Sequence, residues 1–287
     1  MDWGDAHGVI VYEDGTARGF GDNEFGQCAF PRIFQGIAYK DVACGGSHTV
    51  LLREDGGWVA CGSNTQRQCI IPDCPDPIWP MIDCYYTLVS AGWKHTLLIR
   101  NDGEAIAVGD NRRGQCEVPM LQHGLIYTEA AAGTNHSLFL ISDGTVVACG
   151  HPRFCDVPPL CKGLWYMQIS AGTTHSLLLR SDGQAIGFGD NHLRQCNFPT
   201  LEEGMIYTQV SAGHTHSVLI RADGMAVACG GTEEETAEPC DFNNIPILPL
   251  GMQYVGCCAG FLNTMLLRSD GRVIALGDNS YGQLDIR

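Results

Sequence analysis

The chain has 287 residues, 45% of them apolar, with 32 acidic side chains against 17 basic ones and a formal charge of −15. That balance disfavours direct binding to a phosphate backbone, which asks for a basic patch. No stretch reaches the roughly eighteen apolar residues of a membrane span, and the acidic start MDWGDAHG lacks the apolar segment of a secretory signal.

One pattern recurs seven times. Its Asp-Gly ends fall at Gly15, Gly56, Gly103, Gly144, Gly183, Gly224 and Gly271, in steps of 41, 47, 41, 39, 41 and 47 residues. A period near forty marks a repeat architecture. Eight positions before each glycine stand His7, His48, His95, His136, His175 and His216, with Asn263 in the last copy. Six copies begin on a tyrosine: Tyr39, Tyr86, Tyr127, Tyr166, Tyr207 and Tyr254.

Thirty-six glycines and little helical periodicity predict an all-β chain of short strands. In the fifth copy the expected strands are Tyr166 to Ala171, His175 to Arg180, Gln184 to Phe188 and Gln195 to Pro199. The second is apolar on both faces and so covered on both. Four-stranded sheets stacked around an axis predict one seven-bladed propeller domain spanning residues 1–287. An open solenoid would need polar end caps that the first and last copies do not have.

Two classes of turn alternate. The Ala-Gly-x-x-His and Gly-Asp-Asn turns share one face of the disc, here the histidine face. The Arg-x-Asp-Gly hairpins and the connections between copies share the other, the aspartate face. From Gly271 to the end and on from Met1 to Gly15 there are 31 residues where a copy has about 41, so the terminal blade is expected to be one strand short, with Asp2-Trp3-Gly4 as a remnant.

The fifteen cysteines follow the repeat, with Cys28, Cys69, Cys116, Cys155, Cys196 and Cys240 at one position and Leu284 in the seventh copy. A position that accepts leucine is a packing position, so unbridged buried thiols and a reducing, cytoplasmic or nuclear compartment are expected. The histidines recur once per blade and tolerate Asn263, which suits a hydrogen-bonding scaffold better than a metal site. Arg53, Arg100, Arg180, Arg221 and Arg268 each stand two residues before a turn aspartate and are expected to pair with it.

The motifs Ala212-Gly213-His214-Thr215-His216-Ser217 and Gly277-Asp278-Asn279-Ser280-Tyr281-Gly282-Gln283 resemble those of the regulator of chromosome condensation family of seven-bladed propellers, along the whole chain. The compact Gln-Cys-x-x-Pro variant is also similar to the bacterial β-lactamase-inhibitor propeller. The resemblance implies a binding fold: members act as nucleotide exchange factors, interaction modules in ubiquitin ligases, a plant ultraviolet receptor and inhibitors. The receptor's Gly-Trp-Arg-His-Thr copies are approached only by Gly92-Trp93-Lys94-His95-Thr96.

No nucleophile–base pair, phosphate-cradling loop or paired carboxylates stand outside the repeat. The expectation is therefore a non-catalytic scaffold that is monomeric and takes no cofactor or metal. It would bind a protein with a basic surface, and neither nucleic acid nor membrane. Guanine nucleotide exchange on a small GTPase is the alternative. Specificity belongs in the irregular loops, which here offer Asp73, Asp76 and Trp79 on the aspartate face and Glu233, Glu234 and Glu235 on the other.

Overall fold

A computed structural model describes residues 1–31, 38–74, 84–231 and 244–286. Among them are twenty-one strands in seven sheets, each of three consecutive antiparallel strands, and one 3-10 turn, Pro152–Phe154. The fifth sheet is typical, with Tyr166–Ala171, His175–Arg180 and Ala185–Gly189. Its register slips between Tyr166 and Gln168, a bulge that turns Met167 out to solvent.

The expected fourth strand, Gln195 to Pro199, is not a strand, and among the described residues each blade has three strands. Its backbone groups are already spent on turn closure. The Cys196 N–H donates to Asn191 Oδ1 at 2.8 Å and the Asn197 N–H to the Arg194 carbonyl at 3.0 Å. The Gln195 carbonyl meanwhile accepts the Ser217 hydroxyl of the next sheet at 2.7 Å. A segment with its amides satisfied cannot extend a ladder. It crosses instead to the following sheet, where the Tyr207 hydroxyl holds the Pro199 carbonyl at 2.8 Å. The same bond joins Tyr39 to Pro31, Tyr86 to Pro72, Tyr127 to Pro119, Tyr166 to Pro158 and Tyr254 to Pro246.

Apolar side chains gather between sheets rather than in one centre. Val50 and Leu52 of the second sheet, for example, pack with Tyr86, Val89 and Leu98 of the third. The innermost strand of each sheet lines a central channel of about 230 Å³ bounded by residues from all seven copies. Side chains of the preceding blade cap the open edges of these strands. Ser90 Oγ accepts from the Ala132 N–H at 3.0 Å, Ser170 Oγ from Ala212 at 2.9 Å, Glu129 Oε2 from Ile169 at 3.1 Å and Gln168 Oε1 from Val210 at 3.0 Å. Inner strand edges that would otherwise recruit another chain are thereby satisfied.

The ring closes. Gly4, Gly45, Gly92, Gly133, Gly172 and Gly213 each lie so near the carbonyl of the next copy's glycine that no Cβ fits between. The seventh contact, at Gly260, is with the Trp3 indole. Trp3 packs with Ile10 and Phe20 of the first sheet and with Cys258 and Met265 of the last. Asp2 fastens both sides, accepting from the Cys44 N–H at 2.7 Å and the Cys258 thiol at 3.3 Å.

In the terminal sheet β1 (Asp2–Trp3), β2 (His7–Val11) and β3 (Ala17–Gly21), the expected deficit takes the form of a shortened strand. β1 has two residues where its equivalents have six. It registers with β2 at two positions, against five between the first two strands of the fifth sheet. Native-state hydrogen exchange is expected to be fastest in this sheet. Protection factors equal around all seven sheets would contradict that.

Candidate docking face

The repeated histidines are wholly buried, and each ring Nε2 meets a hydroxyl of the next blade. His7 reaches Thr49, His48 reaches Thr96, His95 reaches Ser137, His136 reaches Ser176, His175 reaches Ser217 and His216 reaches Thr264, at 2.8–2.9 Å. Thr96, Ser137 and Ser217 give their only proton to the carbonyls of Gln68, Gln115 and Gln195 at 2.7–2.8 Å. They must therefore accept from the imidazole, which makes Nε2–H the tautomer of His48, His95 and His175. Burial holds the six imidazoles down at about 3 to 4, neutral at physiological pH.

The clamp fails at one place. The hydroxyl position of the first copy is Gly8, covered by the Trp3 ring, and the residue that would reach it is Asn263, whose side-chain N–H turns instead to the Asp278 carbonyl of its own blade. Both halves of the missing bond are thus absent together at the seam. The buried glutamines Gln27, Gln68, Gln115, Gln195 and Gln283 complete the network. Gln27, for example, donates to Asp22 Oδ2 at 2.9 Å and accepts from the Phe25 N–H at 3.0 Å. The histidines are scaffold, and among the described residues no three His, Cys, Asp or Glu side chains converge on a metal position. All fourteen described cysteines are free; Cys28, Cys69, Cys116 and Cys196 point Sγ–H at main-chain carbonyls of the preceding turn.

On the aspartate face the five arginines pair as expected: Arg180–Asp182 at 2.6 Å, Arg221–Asp223 at 2.6 Å, Arg268–Asp270 at 2.7 Å, and likewise Arg53–Asp55 and Arg100–Asp102. In the fourth copy Ile141 stands in the arginine's place. Among the described residues Asp143 there accepts from the Thr145 N–H and hydroxyl, at 2.9 and 2.7 Å, bonds that hold its carboxyl below the usual range. Beside it opens a cavity of about 470 Å³ lined by Thr128, Ile141, Asp143, Trp165 and Met167. Trp165 is 51% exposed and Met167 47%. The neighbouring cleft, of about 430 Å³, is lined by Asp102, Glu104, Met120 and Ile126, and Arg100 bridges to Glu104 at 2.8 Å.

Of the residues singled out from sequence, Asp73 is exposed, just after Pro72 at the aspartate-face end of the second blade. Asp76, Trp79, Glu233, Glu234 and Glu235 lie outside the described residues. The pocket at Asp143 was not among them. Its signal in the sequence is the break in the Arg-x-Asp-Gly pattern at Ile141, together with Thr145 two residues past the aspartate.

Three segments, 39–68, 86–115 and 168–195, match the model of the regulator of chromosome condensation (RCC1) repeat. No curated protein sequence matches the chain. Human WBSCR16 is similar in structure at 19% identity and a TM-score of 0.71, over 89% of this chain and 80% of that one. Prp20p of Saccharomyces cerevisiae, described for its binding to Gsp1p and histones, is similar at 16% identity and 0.72, over 96% and 82%. The CRINKLY ectodomain of the Arabidopsis thaliana receptor kinase ACR4 follows at 15% and 0.70, over 98% and 94%. With motif, matched segments and closed ring in agreement, the chain is a seven-bladed β-propeller that carries repeats matching the regulator of chromosome condensation (RCC1) repeat.

Proposed function

We propose that the chain is a non-catalytic scaffold whose aspartate face takes a basic segment of a protein partner. The observation that supports it is the Asp143 pocket. There a turn carboxylate without an arginine lies against the half-exposed Trp165 and Met167. A lysine or arginine fits such a site, with its aliphatic stem on the apolar side chains and its head at the carboxylate. The net charge of −15 favours encounter with a basic partner, and the exposed Asp73 lies on the same face. Prp20p, with a similar fold, is described as binding histones, which are basic.

Ile141→Arg introduces the internal pair found in five of the other hairpins and neutralises the pocket; Trp165→Ala removes its apolar wall. With purified core histones as probe at low and physiological salt, each is expected to weaken binding about tenfold, the loss of one hot-spot contact. Equal binding by wild type and both variants would refute the site. Nucleotide exchange is the second reading, supported by the binding of Prp20p, a protein of similar fold, to Gsp1p. Accelerated release of fluorescent GDP from any member of a small-GTPase panel would replace the scaffold reading with that one.

A further inference from the structure

On the opposite, histidine face one arc carries the other sign of charge. In four consecutive copies, the second to the fifth, its turns present Arg67, Lys94, Arg112, Arg113, Arg153 and Arg194, six of the chain's 17 basic residues. The turns are neighbours. Gln68 lies against Gly109 at the end of the third sheet, and Arg153 reaches across to Asp190 of the fifth at 3.9 Å. The acids of these turns include Asp110, held by Arg112 at 2.8 Å, and Asp190, shared by Arg153 and His192, while the exposed Glu117 and Asp156 follow the turns of the third and fourth copies. Arg67 and Arg113 are exposed and make no ion pair with a described residue.

The backbone adds an independent sign. The residue before the buried glutamine is left-handed, and glycine supplies it at Gly26, Gly114 and Gly282. In the second and fifth copies the same place is taken by Arg67 and Arg194, with φ of 67° and 62°. An arginine there costs strain that glycine avoids, and such strain concentrates at binding sites. On the inner side of the arc Trp93 is half-exposed at the channel mouth with Lys94 over its ring, an apolar anchor beside the charges.

We propose that this arc docks a short acidic segment of a partner protein, so that the two faces of the propeller hold oppositely charged partners. Arginine side chains meet carboxylates in bidentate fashion, and four adjacent turns match a segment of limited length. A phosphate backbone crossing the disc would leave the arc for Asp22 and Glu24 in the first copy or Asp278 in the last, all on the same face. The inference is independent of the Asp143 pocket.

The probe is a fluorescein-labelled Glu/Asp-rich peptide, titrated with the intact chain and followed by anisotropy. Arg67→Gly, which adopts the residue of the other copies, is expected to leave the melting temperature equal or higher while weakening the peptide severalfold. Adding Arg113→Ser should bring the loss to about tenfold, and the wild-type affinity should fall as salt is raised. Ile141→Arg, on the other face, should bind the peptide as wild type does. Unchanged affinity in the double variant, no binding at low salt, or tighter binding of a single-stranded oligonucleotide of equal charge would overturn the proposal. So would a self-associated chain dispersed by the same substitutions.

Discussion

Lowering the pH from 7 to about 5 is expected to unfold the propeller cooperatively. The unfolded chain protonates its histidines below about 6.5, whereas the native one keeps six of them neutral down to about 3 to 4. Throughout that window the unfolded state binds more protons, so stability falls as pH falls. Each histidine contributes up to about 1.4 kcal/mol per pH unit, or roughly 8 kcal/mol per unit for the six, against a total stability of about 5–15 kcal/mol. Glu129 acts in the opposite sense. Burial raises its carboxyl to about 7, so the native state gains a proton that the unfolded state releases between about 4.5 and 7, and burial pushes Asp2, Asp5 and Asp41 up as well, so these carboxyls offset part of the histidine effect. Urea midpoints measured from pH 7.5 to 5 test this, and His136→Gln should flatten the slope by about one proton. Midpoints independent of pH over that range would show that the six imidazoles are not neutral in the fold.

The second large effect concerns closure. At Gly133 an added methyl would strike the Gly172 carbonyl of the next blade and the His136 ring. Neither yields readily, because the carbonyl belongs to the ring of glycines around the channel and the imidazole is clamped to Ser176 at 2.8 Å. Gly133→Ala is expected to cost about 3 kcal/mol, at the upper end of overpacking, and to lower the melting temperature by about 5 °C for a chain of this size. Gly256→Ala is the control. It lies on the inner strand of the last sheet, where a Cβ comes no nearer than 3.3 Å to Leu267, and is expected to cost under about 1 kcal/mol. Similar melting temperatures for the two variants would mean that the central glycines are not closely packed.

The repeat itself prescribed most of the architecture. The strands Tyr166–Ala171 and His175–Arg180, the Asp-Gly hairpins and the arginine–aspartate pairs all follow from local pattern. Each depends on alternation along one strand, or on partners two residues apart, and such spacing is visible in sequence. The segment Gln195 to Pro199 reads as a fourth strand by its apolar alternation, yet its amides and carbonyl are claimed by Asn191, Arg194 and Ser217. That competition involves the next blade and is decided only when the ring closes. The same is true of the seam, where Gly8 and Asn263 are lost partners of one bond although 255 residues separate them, and where Trp3 fills the space left beside Gly260. The candidate docking surfaces were the least legible. Ile141, Trp165 and Met167, or Arg153 and Asp190, belong to successive copies, and only the fixed rotation from one blade to the next sets them side by side. Local chemistry along the strands is written in the repeat, while what faces solvent together, and with which charge, is settled by the closed tertiary arrangement.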